Sequence, residues 1–292
     1  MNASEIETIE VDLLLEAIRR RYGYDFGAYA RSSIERRVAQ FVASSGHASA
    51  AALIDSVLRD ETLLSRLVQH ISIPVTEMFR DPFVYRALRQ EVVPRLRSFP
   101  YLKVWHAGCA TGEEVFSLAI VLREEGLYGR ATIYATDLND AALARAKEGI
   151  LSLDRIQEWT RSYQEAGGRA SFSEYYHAQY DAAALDRALF ERITFANHNL
   201  ASDGSFGEMH LILCRNVLIY FGRELQERAL RLCSESLVHG GFLCLGSKED
   251  LRFSAVRGEY RVVDARARIY KKDETLRAGE AAAEPRPGAA GS

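Results

Sequence analysis

Residues 104–120 read VWHAGCATGEEVFSLAI: a β-branched and aromatic run, then Gly108 and Gly112 around a tight turn, then an apolar helical repeat. Strand, glycine turn and helix in that order form the opening unit of a doubly wound α/β sheet. Glycines let the backbone approach a bound ligand closely, and the helix start offers free N–H groups. The dinucleotide fingerprint G-x-G-x-x-G is not met, because Ala110 stands where the middle glycine belongs. Glu113 and Glu114 fill the first helical turn, where they suit the helix dipole. They would repel a pyrophosphate and favour a cationic ligand, although each alone also reads as an ordinary helix-start residue.

Outward from this unit the same alternation continues. ATIYATD (131–137), ERITFANHN (191–199), MHLILCRN (209–216) and GFLCLGS (241–247) read as strands, and RELQERALRLCSESLV (223–238) as a helix between the last two. The pair EYRVVDAR and ARIYKK, residues 259–272, is spaced for a terminal antiparallel hairpin. Before the sheet, VDLLLEAIRR, SSIERRVAQFVAS and DETLLSRLVQHI carry apolar residues at helical spacing. RDPFVYRALRQEVVPRLR is a further helix, with Asp81 as N-cap, Pro82 in its first turn and Pro94 near its end. The expected organisation is a helical N-terminal domain (1–74), a mostly parallel seven-stranded α/β domain (75–272) with a small insertion at about 151–190, and a disordered tail (273–292). The tail is Ala-, Gly-, Pro- and Glu-rich without apolar periodicity.

The chain has 292 residues, 48% of them hydrophobic and 26% charged, with a net charge of −3. These values exclude wholesale disorder and argue against non-specific nucleic-acid binding over the whole surface. Cys109, Cys214, Cys233 and Cys244 form no C-x-x-C pair, which suits a reducing cytosol and gives no zinc-ligand spacing, so no metal is expected. No apolar run approaches the roughly 18 residues of a membrane span and the first residues are acidic, so a cytoplasmic protein without membrane insertion is expected.

Asp137, closing the second strand, stands where doubly wound folds place a carboxylate for ribose hydroxyls, which serves NAD and S-adenosylmethionine alike. The acidic turn and the terminal hairpin favour S-adenosylmethionine. Asn199, Arg215 and Asn216 end the later strands and converge on the same edge. Taken together, VTEMFRDP (75–82), HAGCATGEEVFSLAI, YATDLN, FANHNL and LILCRNVLIYF, with YGYDFGAYARSSIERRV (22–38) in front, resemble the CheR-type chemotaxis methyltransferases from about residue 10 to residue 272.

That resemblance implies methyl transfer from S-adenosylmethionine, with S-adenosylhomocysteine as product, to glutamates on the cytoplasmic helices of chemoreceptors. Residue by residue, it implies that Thr76 and Arg80 meet the cofactor's amino-acid portion and that Glu114 binds its ammonium group. Asp137 would take the ribose, Asn199 and Leu200 would lie beside the adenine, and Gly108 would belong to the binding turn. Cys214, Arg215 and Tyr220 would line the methyl-transfer end, with Arg80, Arg215 and Tyr220 as the catalytic set. Family members often carry Asn where this chain has Pro74. His106 and His198 read as structural or ligand-lining, without zinc-ligand spacing. A carboxylate is ionised at neutral pH, so its attack on a sulfonium methyl needs no general base.

Arg19, Arg20, Arg21, Arg31, Arg36 and Arg37 read either as a solvated face or as a dock for an acidic receptor bundle. The insertion RASFSEYYHAQYDAAALDRALF (169–190) lacks the glycine-tyrosine-glycine turn associated with pentapeptide-binding members, so pentapeptide-independent recognition by a monomer is expected. A small-molecule methyltransferase, a silent cofactor-binding adaptor and, more distantly, a nicotinamide oxidoreductase are the alternatives.

Overall fold

The computed structural model describes residues 3–24, 26–27, 29–72, 76–179 and 182–273. Pro74 and the tail beyond Asp273 lie outside the described residues.

Four helices come first: α1 (Ala3–Tyr22), α2 (Arg31–Ser45), α3 (Ala50–Arg59) and α4 (Glu61–Ser72). The sequence reading named three; α3 follows from Ser49, whose hydroxyl accepts from the Ala52 N–H and caps it. Their apolar stripes meet in one core built on Leu14, Ile18, Ile34, Val38, Leu53, Leu67 and Ile71. Of the six arginines in this stretch, Arg19, Arg20, Arg21, Arg31 and Arg36 are exposed and Arg37 leaves that face. Arg19 and Arg20 both bind Glu16, Arg31 binds Asp12 and Glu35, and Arg37 is buried.

A bent helix leads into the sheet: α5 (Pro82–Ala87), a wide π turn over Leu88–Val92, then α6 (Val93–Leu96). Pro94 explains the π turn, because it has no N–H for the Gln90 carbonyl and its ring crowds that position. Asp81 is not the side-chain cap expected of it; it sits at φ 58° and makes no capping bond, and its carboxylate is committed to Arg215 at 2.8 Å.

The strands are β1 (Leu102–Ala107), β2 (Ala131–Asp137), β3 (Ile150–Ser152), β4 (Tyr176–Gln179), β5 (Ala182–Leu185), β6 (Ile193–Asn197), β7 (Met209–Cys214), β8 (Leu237–Leu245), β9 (Tyr260–Asp264) and β10 (Ile269–Lys272). Seven of them form a sheet in the order β6-β2-β1-β7-β8-β10-β9. The five from β6 to β8 are parallel, and β10 runs antiparallel to both its neighbours. This is the mostly parallel sheet with a terminal hairpin that the sequence pattern predicts. The remaining helices are α7 (Glu113–Glu124), α8 (Asp140–Glu148), α9 (Leu153–Glu165) and α10 (Arg223–Ser236).

Strand alternation sends Val104 into one apolar core, with α5, α7 and the insertion, and Trp105 into the other, with α10. The insertion contributes α9 and a small antiparallel sheet in the order β3-β5-β4. It is tied down by a buried cluster in which Arg89 binds Glu124 and Glu125 while Tyr163 and Tyr175 donate to Glu124.

β1 is flanked by β2 on one side and β7 on the other, so the chain's direction of travel across the sheet reverses between β1 and β7. Open α/β sheets hold ligands at this switch, beyond the carboxyl ends of the strands.

Candidate functional site

At that switch lies a cavity that measures about 980 Å³ with its open mouth included. Thr76, Arg80, Gly108, Glu114, Asp137, Asn199, Leu200, Arg215 and Tyr220 all line it. Cys214 does not. It precedes Arg215 on a strand whose side chains alternate, so it turns to the other core and shares a hydrogen bond with Cys233.

The turn after β1 is shaped by glycine. Gly108 has φ +79°, and a Cβ there would stand 2.4 Å from Val217 Cγ2. Next to it, Ala110 takes φ 48°, a left-handed conformation that costs about 1–2 kcal/mol for a non-glycine residue. Asp137 Oδ2 holds it there by accepting the Ala110 N–H at 2.8 Å, while Oδ1 accepts from Asn139 N at 2.9 Å. Burial raises the Asp137 pKa, and backbone N–H groups of Asn139, Ala110 and Leu138 oppose that rise.

Four of the five non-glycine residues with positive φ among the described residues lie at or beside the cavity: Phe79, Asp81, Ala110 and Asn216. Each is pinned. Phe79 N donates to Ser117 Oγ at 2.8 Å, Asp81 binds Arg215, Ala110 binds Asp137, and Asn216 N donates to Glu249 Oε2 at 3.0 Å. Strain concentrated at one site and over-determined by its surroundings marks a functional region.

Glu113 and Glu114 have separated roles. Glu113 accepts the Thr111 hydroxyl at 2.7 Å and is not on the cavity wall, whereas Glu114 is. Glu114 Oε2 accepts from Arg215 Nη1 at 3.1 Å, and Arg215 Nη2 reaches Asp81. The Arg215 side chain is 0% exposed, so it cross-braces Glu114 and the segment before α5 rather than projecting into solvent. Burial raises the Glu114 pKa, with Arg215 and then Arg80 pulling it down. His106 stands 3.9 Å from Glu114, but burial and then Arg215 push its pKa down to about 3, so it is neutral at pH 7 and no ion-pair partner.

His198 lines the cavity and its Nε2 donates to the Gly204 carbonyl at 3.1 Å. Asn199 Oδ1 accepts from Ala201 N, and Asp203 accepts from Asn199 N, so a tight turn presents Asn199 and Leu200 to the cavity.

Several contributors escaped the sequence reading, Leu138, Val217 and Phe221 of the cavity wall among them, and three more carry distinct roles. Tyr29, from the segment between α1 and α2, lines the cavity. Asp81 anchors Arg215. Glu249, 4% exposed, accepts four backbone N–H groups, from Asn216, Val217, Ile219 and Gly246. It clamps the loop leading to Tyr220, and a buried acid in GSKED after an apolar strand was its only signal. Among the described residues no cluster of His, Cys, Asp and Glu is arranged to hold a metal.

This donor set fits S-adenosylmethionine. Its ammonium needs an anion, which Glu114 on the cavity wall would supply, and its α-carboxylate needs a cation nearby, which Arg80 would supply. Asp137 has acceptor capacity beyond its backbone bonds for a ribose diol, since a carboxylate offers about four lone-pair sites. Leu138, Leu200 and Val217 give the apolar wall an adenine requires.

Residues 9–72 match the family description "CheR methyltransferase, all-alpha domain" and residues 74–269 match "CheR methyltransferase, SAM binding domain". The chain is 49% identical over 272 residues to "Putative methyltransferase Cher3" of Pseudomonas putida, covering 93% of this chain and 100% of that one. It is 31% identical over 250 residues to a "Chemotaxis protein methyltransferase" of Listeria innocua, covering 84% and 92%. It is 28% identical over 258 residues to "Chemotaxis protein methyltransferase 1" of Pseudomonas aeruginosa, covering 83% and 90%. The chain belongs to the CheR methyltransferase family, and the cofactor of its larger domain is S-adenosylmethionine.

Proposed function

We propose that this chain methylates glutamate side chains on the cytoplasmic helices of chemoreceptors, forming γ-glutamyl methyl esters for sensory adaptation. The observation that carries the reading is the composite wall of the cavity: Tyr29 of the helical unit lines it together with Glu114, Asp137 and Tyr220 of the sheet unit. A substrate reaching the mouth meets both units, as a protein helix would.

When bound, S-adenosylmethionine supplies an electrophilic methyl on a positive sulfur. Glu114 holds the ammonium end, Asp137 the ribose, and Asn199 with Leu200 the adenine side. Thr76 and Arg80 close over the amino-acid portion. Arg215 fixes Glu114 and Asp81, a supporting role that follows from its engaged guanidinium. Tyr220 and Arg80 flank the path of the incoming carboxylate, which they orient without abstracting a proton, because the nucleophile arrives ionised.

Recognition is assigned to the helical unit without a receptor pentapeptide. The absence of a glycine-tyrosine-glycine turn from the sequence of the insertion supports that assignment. Mass spectrometry of a purified receptor cytoplasmic fragment, incubated with the enzyme and cofactor, tests the proposal: methyl esters should map to glutamates. Modification of other residue types, or none, would contradict it. Tight binding of a receptor-tail peptide would overturn the pentapeptide assignment alone.

A further inference from the structure

Outside the cavity wall, α2 places a cation where an apolar residue belongs. Its buried stripe is Ile34, Arg37, Val38 and Phe41, at helical three-and-four spacing, and Arg37 is 3% exposed. Among the described residues no carboxylate is paired with it. Nη1 donates to the Ile71 carbonyl in α4, and the guanidinium carbon lies 4.8 Å from the centroid of the Tyr220 ring. There it acts on the ring face and on the hydroxyl end alike.

A planar, weakly hydrated guanidinium is the cation best suited to stacking on a buried aromatic face. The same stretch of the sheet unit is gripped twice more. Ala30 N donates to the Tyr220 carbonyl at 2.9 Å, and Tyr29 bridges Phe221 antiparallel with ring centroids 4.9 Å apart. Tyr220 lines the cavity, and Arg37 does not.

We infer that Arg37 is a positioning residue for methyl transfer, holding the Tyr220 ring in place at the cavity wall, so that the helical unit completes the reacting end of the site. The inference rests on reading the cavity as a methyl-transfer site. A buried guanidinium without a carboxylate is costly, and an apolar side chain would fill the same core more cheaply. What an apolar side chain lacks is attraction to the ring face together with a donor for Ile71. Glu249 fixes the backbone of residues 216–219, so the tyrosine ring is the part of the loop left for Arg37 to orient.

The test compares Arg37→Met and Arg37→Lys with the unmodified protein, in the full chain, with three readouts. Calorimetry should show the dissociation constant for S-adenosylmethionine unchanged within about twofold, since Arg37 is off the cavity wall. Turnover on a receptor fragment should fall about tenfold or more in Arg37→Met, with partial recovery in Arg37→Lys, and Arg37→Met should cost nothing further in a Tyr220→Ala background. Fluorine NMR of fluorotyrosine-labelled protein, with the Tyr220 signal assigned by its loss in Tyr220→Phe, should show that signal shifted in Arg37→Met. An unmoved Tyr220 signal, or equal losses in both backgrounds, overturns the inference. A raised KM for the receptor fragment at unchanged kcat also overturns it, because Arg37 would then be a docking residue. If the unmodified protein methylates no receptor, the functional reading fails while the NMR signal still decides the place of Arg37.

Discussion

Replacing Glu249 with glutamine should loosen the loop that carries Tyr220. Oε2 accepts from Gly246 N at 2.6 Å and Asn216 N at 3.0 Å, and Oε1 from Val217 N at 2.8 Å and Ile219 N at 3.3 Å. An amide of the same size turns one acceptor into a donor that faces two N–H groups, so two of the four bonds are lost whichever way it sits. A charge-assisted hydrogen bond contributes about 1.5–3 kcal/mol, which makes the gross loss about 3–6 kcal/mol. Glutamine also removes an ion whose burial raises its pKa despite those bonds, and this returns part of the loss. A net destabilisation of about 2–4 kcal/mol is expected. For a chain of this size it lowers the melting temperature by roughly 3–7 °C. Urea unfolding followed by the fluorescence of Trp105 and Trp159 reads it directly. Stability within about 0.5 kcal/mol of the parent, together with unchanged turnover, would refute the clamp.

Asp137→Ala should weaken S-adenosylmethionine binding on the order of tenfold to a hundredfold, the equivalent of one lost charged hydrogen bond; unchanged affinity by calorimetry would remove Asp137 from the site. Gly108→Ala should destabilise the fold by about 1–3 kcal/mol and depress cofactor binding, since its Cβ meets Val217 at 2.4 Å in a left-handed conformation; thermal unfolding and calorimetry check both. Cofactor affinity should fall as the pH is lowered from neutral into the acid range, because in the proposed binding mode the ammonium is held by ionised Glu114, whose pKa burial raises. The stability sign is opposite: a raised carboxylate pKa means that the native state binds the proton more tightly than the unfolded chain, so protonating Glu114 favours the ligand-free fold. Glu114→Gln should bind weakly with a flat dependence across that range, and a steep one would assign the titration to another group.

The β1 to α7 unit was legible because its signals are local: an apolar run, two glycines at positive φ and a helical repeat within residues 104–120. The strand-end residues Asp137, Asn199 and Arg215 were legible for the same reason, since the topology places strand ends together once the strands are found. Asp81 misled because an acid before Pro82 has the sequence form of a cap, and only the distant Arg215 diverts it. Tyr29 meets Phe221 across nearly the whole α/β unit, and Glu249 reaches back past α10 and β8 to the loop at residues 216–219, so no local window of sequence contains either contact. Arg37 was grouped with its basic neighbours although Ile34, Val38 and Phe41 place it on the buried stripe. Periodicity already separated it from Arg36, which is exposed.

The account turns on which atom receives the methyl group. Incubating the enzyme with methyl-labelled S-adenosylmethionine and receptor-bearing membranes, then treating with base, distinguishes carboxyl esters from methylated nitrogen or sulfur. Label that enters receptors, is released by alkali as methanol and is lost in Asp137→Ala is the predicted result. Label that resists alkali, or never enters a receptor, would contradict it.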